Sequence, residues 1–181
     1  ENTIVEYVTE LKIDRVSASI IYKDYKLAIA ATRGDGNVGE EITNNVKTIN
    51  SVPLKVKSIV ADVELPAEFE VRGEVFMPTE GFKKLNAERE LRGEKLFANP
   101  RNSSAGTLKL QDPKEVSRRP LDIFVYYLLS DNEQFASQKE NLEILKLAGF
   151  KVNPNYKLCK SMGEVIEYCR YWENERGNLP Y

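Results

Sequence analysis

The sequence contains no histidine, and only two cysteines, Cys159 and Cys169, occur among its 181 residues. The cysteines are too far apart for C-x-x-C spacing, so the chain lacks the nitrogen and sulfur ligands of a zinc site. A chain with so few cysteines needs no disulfides, and we predict a reduced, cytoplasmic protein.

Long apolar runs are also missing. No run approaches the roughly 18 residues that a membrane span needs, and the first ten residues, ENTIVEYVTE, lack the basic start and apolar centre of a signal peptide. We therefore expect no membrane partner. The missing initiator methionine, and a start almost directly on a predicted strand, indicate a fragment of a longer protein.

An excess of positive charge is absent as well. The chain has 26 basic and 28 acidic residues, and its net charge is -2. No overall positive field would attract it to a phosphate backbone, so any contact with nucleic acid must be local. Its 41% hydrophobic and 30% charged residues are typical of a soluble, compact domain.

Alternating or β-branched apolar residues predict strands in six segments: IVEYVTELKID, VSASIIY, LAIAATR, PLKVKSIVADVELP with connecting turns, FEVRGEVFM and LDIFVYYLL. Helices are predicted for EEITNNVKTI, with acidic residues in its first turn, for TEGFKKLNAEREL, and after the S-x-x-E capping boxes SQKE and SMGE. These elements mix without regular βαβ alternation, which favours an α+β fold.

The stretch ELKIDR carries charge inside a predicted strand. In an extended chain Glu10, Lys12 and Asp14 share one face, while Leu11 and Ile13 share the other. A sheet with one solvated face would explain this pattern. The wall of a polar binding site would explain it equally.

Glycine and charge coincide in ATRGDGNVGEE. Residues 34–39 match the letters G-x-G-x-x-G, but no βαβ unit with a following acidic residue supports a dinucleotide fingerprint. A glycine-rich turn is one interpretation. The other is that Arg33 projects from a strand end toward a phosphate or carboxylate, which its forked donors suit.

Two further motifs have both structural and functional interpretations. In EVRGEVF, Glu74 could accept hydrogen bonds from ribose hydroxyls, or Glu70, Arg72 and Glu74 could form ion pairs on a solvated face. In FANPRNSSAGTLK, Arg101 and Lys109 flank a helix start that suits phosphate, although an ordinary capped helix has the same residues.

Taken in order, the motifs resemble the adenylation domain of bacterial NAD-dependent DNA ligases. The matching segments are ELKID, ATRGDG-x-x-GE-x-x-T-x-N, EVRGEVF, FANPRN-x-x-AG-x-L, LDIF-x-YY and LCKS-x-x-EV, and they span nearly the whole chain. The resemblance implies a nucleotidyltransferase fold, α+β with antiparallel sheets flanked by helices. It also implies that residues 1–181 are part of a single adenylation domain, truncated at both ends.

The resemblance implies a covalent mechanism. Lys12 matches the lysine of the K-x-D-G motif, which attacks the α-phosphate of NAD+, releases nicotinamide mononucleotide (NMN) and transfers AMP to a DNA 5′-phosphate. Only a neutral amine can attack, and neighbouring cations and partial burial would favour that form. By the same resemblance Glu10 contacts the adenine, Tyr126 stacks on it, and Glu74 contacts the ribose.

Other implied roles concern the phosphates and the partners. Arg33 and Arg101 match positions around the sugar and phosphates, Asp14 belongs to the nucleophile motif, and Lys109 stands where many members carry arginine. The resemblance also implies NAD and Mg2+ as cofactors, zinc only in a domain absent here, and nicked duplex DNA as the partner of the full-length enzyme in replication and repair. We expect a monomer.

Two features depart from the family pattern. Arg15 replaces the usual glycine after the motif aspartate, and we expect this bulky cation to be a liability for backbone geometry and activity. The chain also ends before the family's D-G-x-V-x-K segment, so we expect the fragment to be inactive or weakly active.

Two alternatives remain at this stage. One is an ATP-dependent nucleotidyltransferase, as in ATP-dependent ligases or capping guanylyltransferases, although ATRGDG and FANPRN speak against it. The other is a nucleotide-binding module without turnover.

Overall fold

The structure is a computed structural model that describes residues 5–130 and 136–181. Its strands are β1 (Tyr7–Thr9), β2 (Val16–Lys23), β3 (Lys26–Thr32), β4 (Ile59–Val60), β5 (Val63–Glu64), β6 (Glu68–Phe76), β7 (Asp122–Leu129) and β8 (Lys157–Cys159). Its α-helices are α1 (Thr43–Val46), α2 (Thr79–Leu91), α3 (Pro100–Leu108), α4 (Pro113–Ser117), α5 (Gln138–Leu147) and α6 (Met162–Glu175).

The largest sheet has four antiparallel strands in the order β3-β2-β6-β7, and two small sheets pair β1 with β8 and β4 with β5. Helices flank these sheets, so the predicted α+β class is confirmed. Among the described residues, no helix is both long enough and apolar enough to span a bilayer.

The core lies against one face of the four-stranded sheet. Ile20, Val71 and Ile123, from three neighbouring strands, are completely buried there. Tyr22 stacks on Phe69 with ring centroids 4.9 Å apart, and its hydroxyl donates to a backbone carbonyl. Because this face is covered by apolar packing, only the other face is free to bind a ligand.

Several predicted elements agree with the structure. Ser137 and Ser161 cap α5 and α6 by accepting hydrogen bonds from the N–H groups of Glu140 and Glu164, as the S-x-x-E boxes predict. The prediction of acidic residues in the first turn of α1 is wrong. That helix begins at Thr43, after both glutamates.

The first predicted strand needs a larger correction. Only Tyr7–Thr9 pairs with another strand, and ELKIDR lies outside every strand. The chain here is extended enough to keep the predicted alternation, with Glu10, Lys12 and Asp14 exposed and Leu11 and Ile13 half-buried. Alternation therefore identified the faces correctly, but it did not reveal that the segment lacks a pairing partner.

Candidate functional site

The open face of the four-stranded sheet forms a cleft of about 600 Å³. Three residues predicted for a binding site, Arg33, Glu74 and Tyr126, line this sheet cleft. The other lining residues come mainly from β2, from the loop after β3 and from β6: Ser17, Ala18, Ser19, Ala31, Thr32, Gly36, Asn37, Gly39, Glu70 and Arg72.

Strand register brings these side chains together. Ser17 pairs with Glu74 and Ser19 with Arg72 across β2 and β6. The register of β6 against β7 shifts between Arg72 and Gly73. A Cβ at Gly73 would lie 2.7 Å from the backbone oxygen of Phe124, so glycine allows β7 to approach at this shift.

A polar network that sequence reasoning did not assign to the site occupies the floor of the sheet cleft. Glu70 accepts a hydrogen bond from the Ser19 hydroxyl at 2.7 Å and one from Arg72 Nε at 2.6 Å. Burial acts to raise the pKa of Glu70, but the hydrogen bonds from Arg72 and Ser19 outweigh it and leave that pKa lowered. Glu70 and Arg72 therefore form the predicted ion pair, but the pair lies within β6 and does not cross between strands.

Glu74 has different surroundings. Burial raises the pKa of its carboxyl, and this effect exceeds the opposing hydrogen bonds from the Arg15 backbone N–H and the Ser17 hydroxyl and the attraction of Lys12. These contacts bring the segment that carries Lys12 next to the sheet cleft.

Lys12 is more exposed than expected. Its side chain is 88% exposed, and its Nζ lies 4.0 Å from Asp14 Oδ1. The same carboxylate is held by Arg101 Nη1 at 3.1 Å. Arg101 is in the first turn of α3, whose start is fixed by the Asn99 side chain accepting from the N–H of Asn102. The expected partial burial of Lys12 is wrong for this structure.

Gln138 joins the two predicted adenine contacts, and sequence reasoning missed it. Its Nε2 donates to Glu10 Oε2 and to the Tyr126 carbonyl, each at 2.9 Å. Burial raises the pKa of Glu10, and the bond from Gln138 partly opposes this. No sequence signal indicated this role, because the place of Gln138 in the SQKE box is fully explained by the capping of α5.

A second cleft, of about 770 Å³, lies beside the 10–15 segment. Glu10, Lys12 and Asp14 line this lysine cleft together with Arg15. Its opposite wall consists of α6 and the residues that follow it: Tyr168, Cys169, Trp172, Glu173, Arg176, Leu179 and Tyr181. The two clefts share no lining residue, so six of the predicted site residues divide between them, while Arg101 and Lys109 line neither cleft.

Lys109 lies apart from both clefts. It forms an ion pair with Glu40 at 2.5 Å, in the loop that follows Arg33. Gly34, at the start of this loop, has φ +56°, and a Cβ there would lie 1.7 Å from the Val38 oxygen. The glycine-rich turn is therefore required by backbone geometry, and it carries Arg33 at the edge of the sheet cleft.

No group of three or more His, Cys, Asp or Glu side chains able to hold a metal ion occurs in the part of the chain that the structure describes. The described residues therefore provide no cage of three or more such side chains for Mg2+. The Mg2+ requirement stays a prediction.

The family model for the NAD-dependent DNA ligase adenylation domain matches residues 1–181. A DNA ligase from Cytophaga hutchinsonii is 49% identical over 176 residues, which cover 97% of this chain and 26% of the relative. DNA ligases from Christiangramia forsetii and Thermotoga petrophila are 49% and 48% identical, and each alignment covers 98% of this chain. The chain spans about a quarter of the length of these relatives.

Proposed function

Because the chain belongs to the family of NAD-dependent DNA ligase adenylation domains, we propose that it forms a covalent lysyl-AMP from NAD+. The Lys12 nitrogen attacks the α-phosphorus and loses a proton, and the bond from that phosphorus to the oxygen of NMN breaks. In the longer enzyme the AMP then passes to a DNA 5′-phosphate, so that a nick is sealed.

The observation that supports this proposal most strongly is the junction of the two clefts. Burial raises the pKa of Glu74, in the sheet cleft, and the Arg15 backbone N–H and the Lys12 charge are close enough to oppose this rise. A nucleotide that spans this junction has its sugar in the sheet cleft and its α-phosphate at Lys12. Such an arrangement places reacting groups together before reaction.

The adenosine half has a matching set of contacts. Tyr126 offers an aromatic face for stacking, and Glu10, linked to it through Gln138, offers a polar edge contact. Glu74 accepts from the ribose hydroxyls, while Arg33 and Arg101 face the sugar and phosphates. Lys109 has the most distant role, since its ion pair with Glu40 steadies the loop after Arg33.

The Lys12 amine is exposed in the free protein, and its Nζ lies 4.0 Å from Asp14 Oδ1. Arg101 already binds the Asp14 carboxylate, and this competition weakens the attraction of Asp14 for Lys12. Burial by the bound nucleotide then supplies the desolvation that the free site lacks, which favours the neutral amine.

Mass spectrometry of the longer enzyme after incubation with NAD+ or ATP tests the proposal, because residues 1–181 alone are expected to be inactive or weakly active. We expect the mass of one adenylyl group to be added from NAD+ but not from ATP, and peptide mapping to locate it at Lys12. Lys23→Ala, which removes another exposed lysine beside a carboxylate, is the matched control and should still be labelled. Labelling from ATP would favour the ATP-dependent alternative, and labelling from neither nucleotide would favour a binding module.

The remaining partners follow from the same proposal. We propose nicked duplex DNA as the partner of the longer enzyme, with this domain acting as a monomer in the cytoplasm. The net charge of -2 provides no general attraction to phosphate. Residues 1–181 alone should therefore bind duplex DNA weakly, and submicromolar binding at physiological salt in a fluorescence anisotropy titration would contradict this.

A further inference from the structure

Arg15 replaces the glycine that the family pattern favours, and the structure shows whether this replacement strains the backbone. Among the described residues, the non-glycine residues with positive φ are Asp24, Tyr25, Ala61 and Asp62, so Arg15 has an ordinary backbone conformation. A side chain here needs no left-handed backbone. The expected liability for backbone geometry is therefore not found.

The guanidinium of Arg15 is incompletely satisfied. Its Nη1 donates to the Asp14 carbonyl at 2.8 Å, but its Nε is buried and has no acceptor. The neighbouring Asp14 carboxylate is held by Arg101 instead. None of the ion pairs among the described residues includes Arg15. A half-buried arginine with no carboxylate partner favours binding of an anion.

The location of the Arg15 guanidinium indicates which anion it would bind. Arg15 lines the lysine cleft together with Lys12, and Ser17, two residues further along the chain, lines the sheet cleft. Arg15 is therefore at the junction that the dinucleotide has to cross. The phosphates are the only anionic groups that NAD+ carries.

We propose that Arg15 binds a phosphate of the dinucleotide beside Lys12. This inference rests on the proposed function. Arg15 then supports binding of the dinucleotide, whereas the sequence pattern predicted a liability.

Ligand binding without chemistry provides the test. In a Lys12→Ala background, the affinities of NAD+ and of adenosine, which lacks phosphate, are measured by isothermal titration calorimetry. Arg15→Gln should weaken NAD+ binding about tenfold, the usual order for a lost hydrogen bond to a charged group, and should leave adenosine binding unchanged. Arg15→Lys should recover part of the NAD+ affinity, since it keeps the charge without the fork.

Arg118→Gln is the matched control, because it removes an exposed guanidinium from a different cleft, and it should change neither affinity. Equal weakening of NAD+ and adenosine by Arg15→Gln would indicate a structural role and overturn the inference, as would an unchanged affinity for NAD+. Failure of the Lys12→Ala chain to bind either ligand would overturn the proposed function as well. Circular dichroism checks that each variant is folded.

Discussion

The two sides of the proposed site are held in very different ways. The sheet cleft is built on β2, β6 and β7, which are joined by a continuous antiparallel ladder over a buried core. On the other side, none of the backbone hydrogen bonds outside the strands and helices of the described chain involves residues 10–14. The Lys12 side chain is 88% exposed.

This difference indicates that one side of the site binds the adenosine and the other side carries out the chemistry. A ladder fixes the direction of every side chain along it, so the surface that receives adenosine is formed before the ligand arrives. The segment with Lys12 is held mainly through side chains, at Glu10 by Gln138 and at Asp14 by Arg101. Binding and chemistry should therefore respond separately to substitution.

The largest expected effect separates ligand binding from chemistry completely. In the longer enzyme, Lys12→Ala should abolish covalent AMP formation, because no other group is proposed to attack phosphorus. The affinity for AMP should stay within about twofold, and the free energy of unfolding within about 0.5 kcal/mol, since the side chain is exposed. Intact-protein mass spectrometry, calorimetry and urea unfolding measure the three quantities. Covalent label on the Lys12→Ala chain would show that the nucleophile is assigned wrongly.

A matched pair of core substitutions compares the stability of the two sides. Ile20, in β2, is completely buried, whereas Ile13 is only half-buried. Ile20→Ala should lower the free energy of unfolding by about 3 kcal/mol, because it leaves a cavity in packed surroundings. Ile13→Ala should cost about 1 kcal/mol. Equal losses in urea unfolding would show that the 10–14 segment is part of the same core.

Two adjacent tyrosines test the surface that receives adenosine. Tyr126 lines the sheet cleft, and its neighbour Tyr127 is 42% exposed and does not. Tyr126→Ala should weaken AMP binding about tenfold, because base stacking on an aromatic ring contributes about 1–3 kcal/mol. Tyr127→Ala should change it little. A larger loss from Tyr127→Ala in a calorimetric titration would mean that the adenine lies elsewhere.

The sequence predicted the strands of the sheet cleft well because strand signals are local. Apolar alternation identified β2, β3, β6 and β7, and the family resemblance selected Arg33, Glu74 and Tyr126, which line one cleft in the structure. Pairing across strands follows from such patterns, since each strand has one face to bury.

Prediction from the sequence failed where a contact depends on a partner that is distant in the sequence. Nothing in ELKIDR shows that no strand pairs with it, or that Gln138, 128 residues away from Glu10, reaches its carboxylate. The division into two clefts depends likewise on α6, whose wall of aromatic residues is distant in sequence from Lys12. Burial of a single charged side chain is fixed by tertiary packing, which periodicity does not encode.

The smallest expected effect compares two glutamates of the sheet cleft by their pH dependence. The pKa of Glu74 is raised by burial, so the folded state binds its proton more tightly than the unfolded state does. Ionised Glu74 therefore costs stability above its raised pKa, and this cost disappears as the pH falls through that value toward the ordinary 4.5. Glu74→Gln should be slightly more stable than the parent at pH 7, and the difference should vanish at low pH.

Glu70, on the same strand, provides the control of opposite sign. Burial acts to raise its pKa, but the hydrogen bonds from Arg72 and Ser19 leave it lowered, so its ionised form stabilises the fold at neutral pH. Glu70→Gln should be less stable than the parent at pH 7, and this deficit should shrink as the pH falls through the ordinary and then the lowered pKa. Urea unfolding at several pH values measures both differences. If both variants shift in the same direction, the two carboxyls do not differ as their surroundings indicate, and binding of ribose rather than stability would have to explain the burial of Glu74.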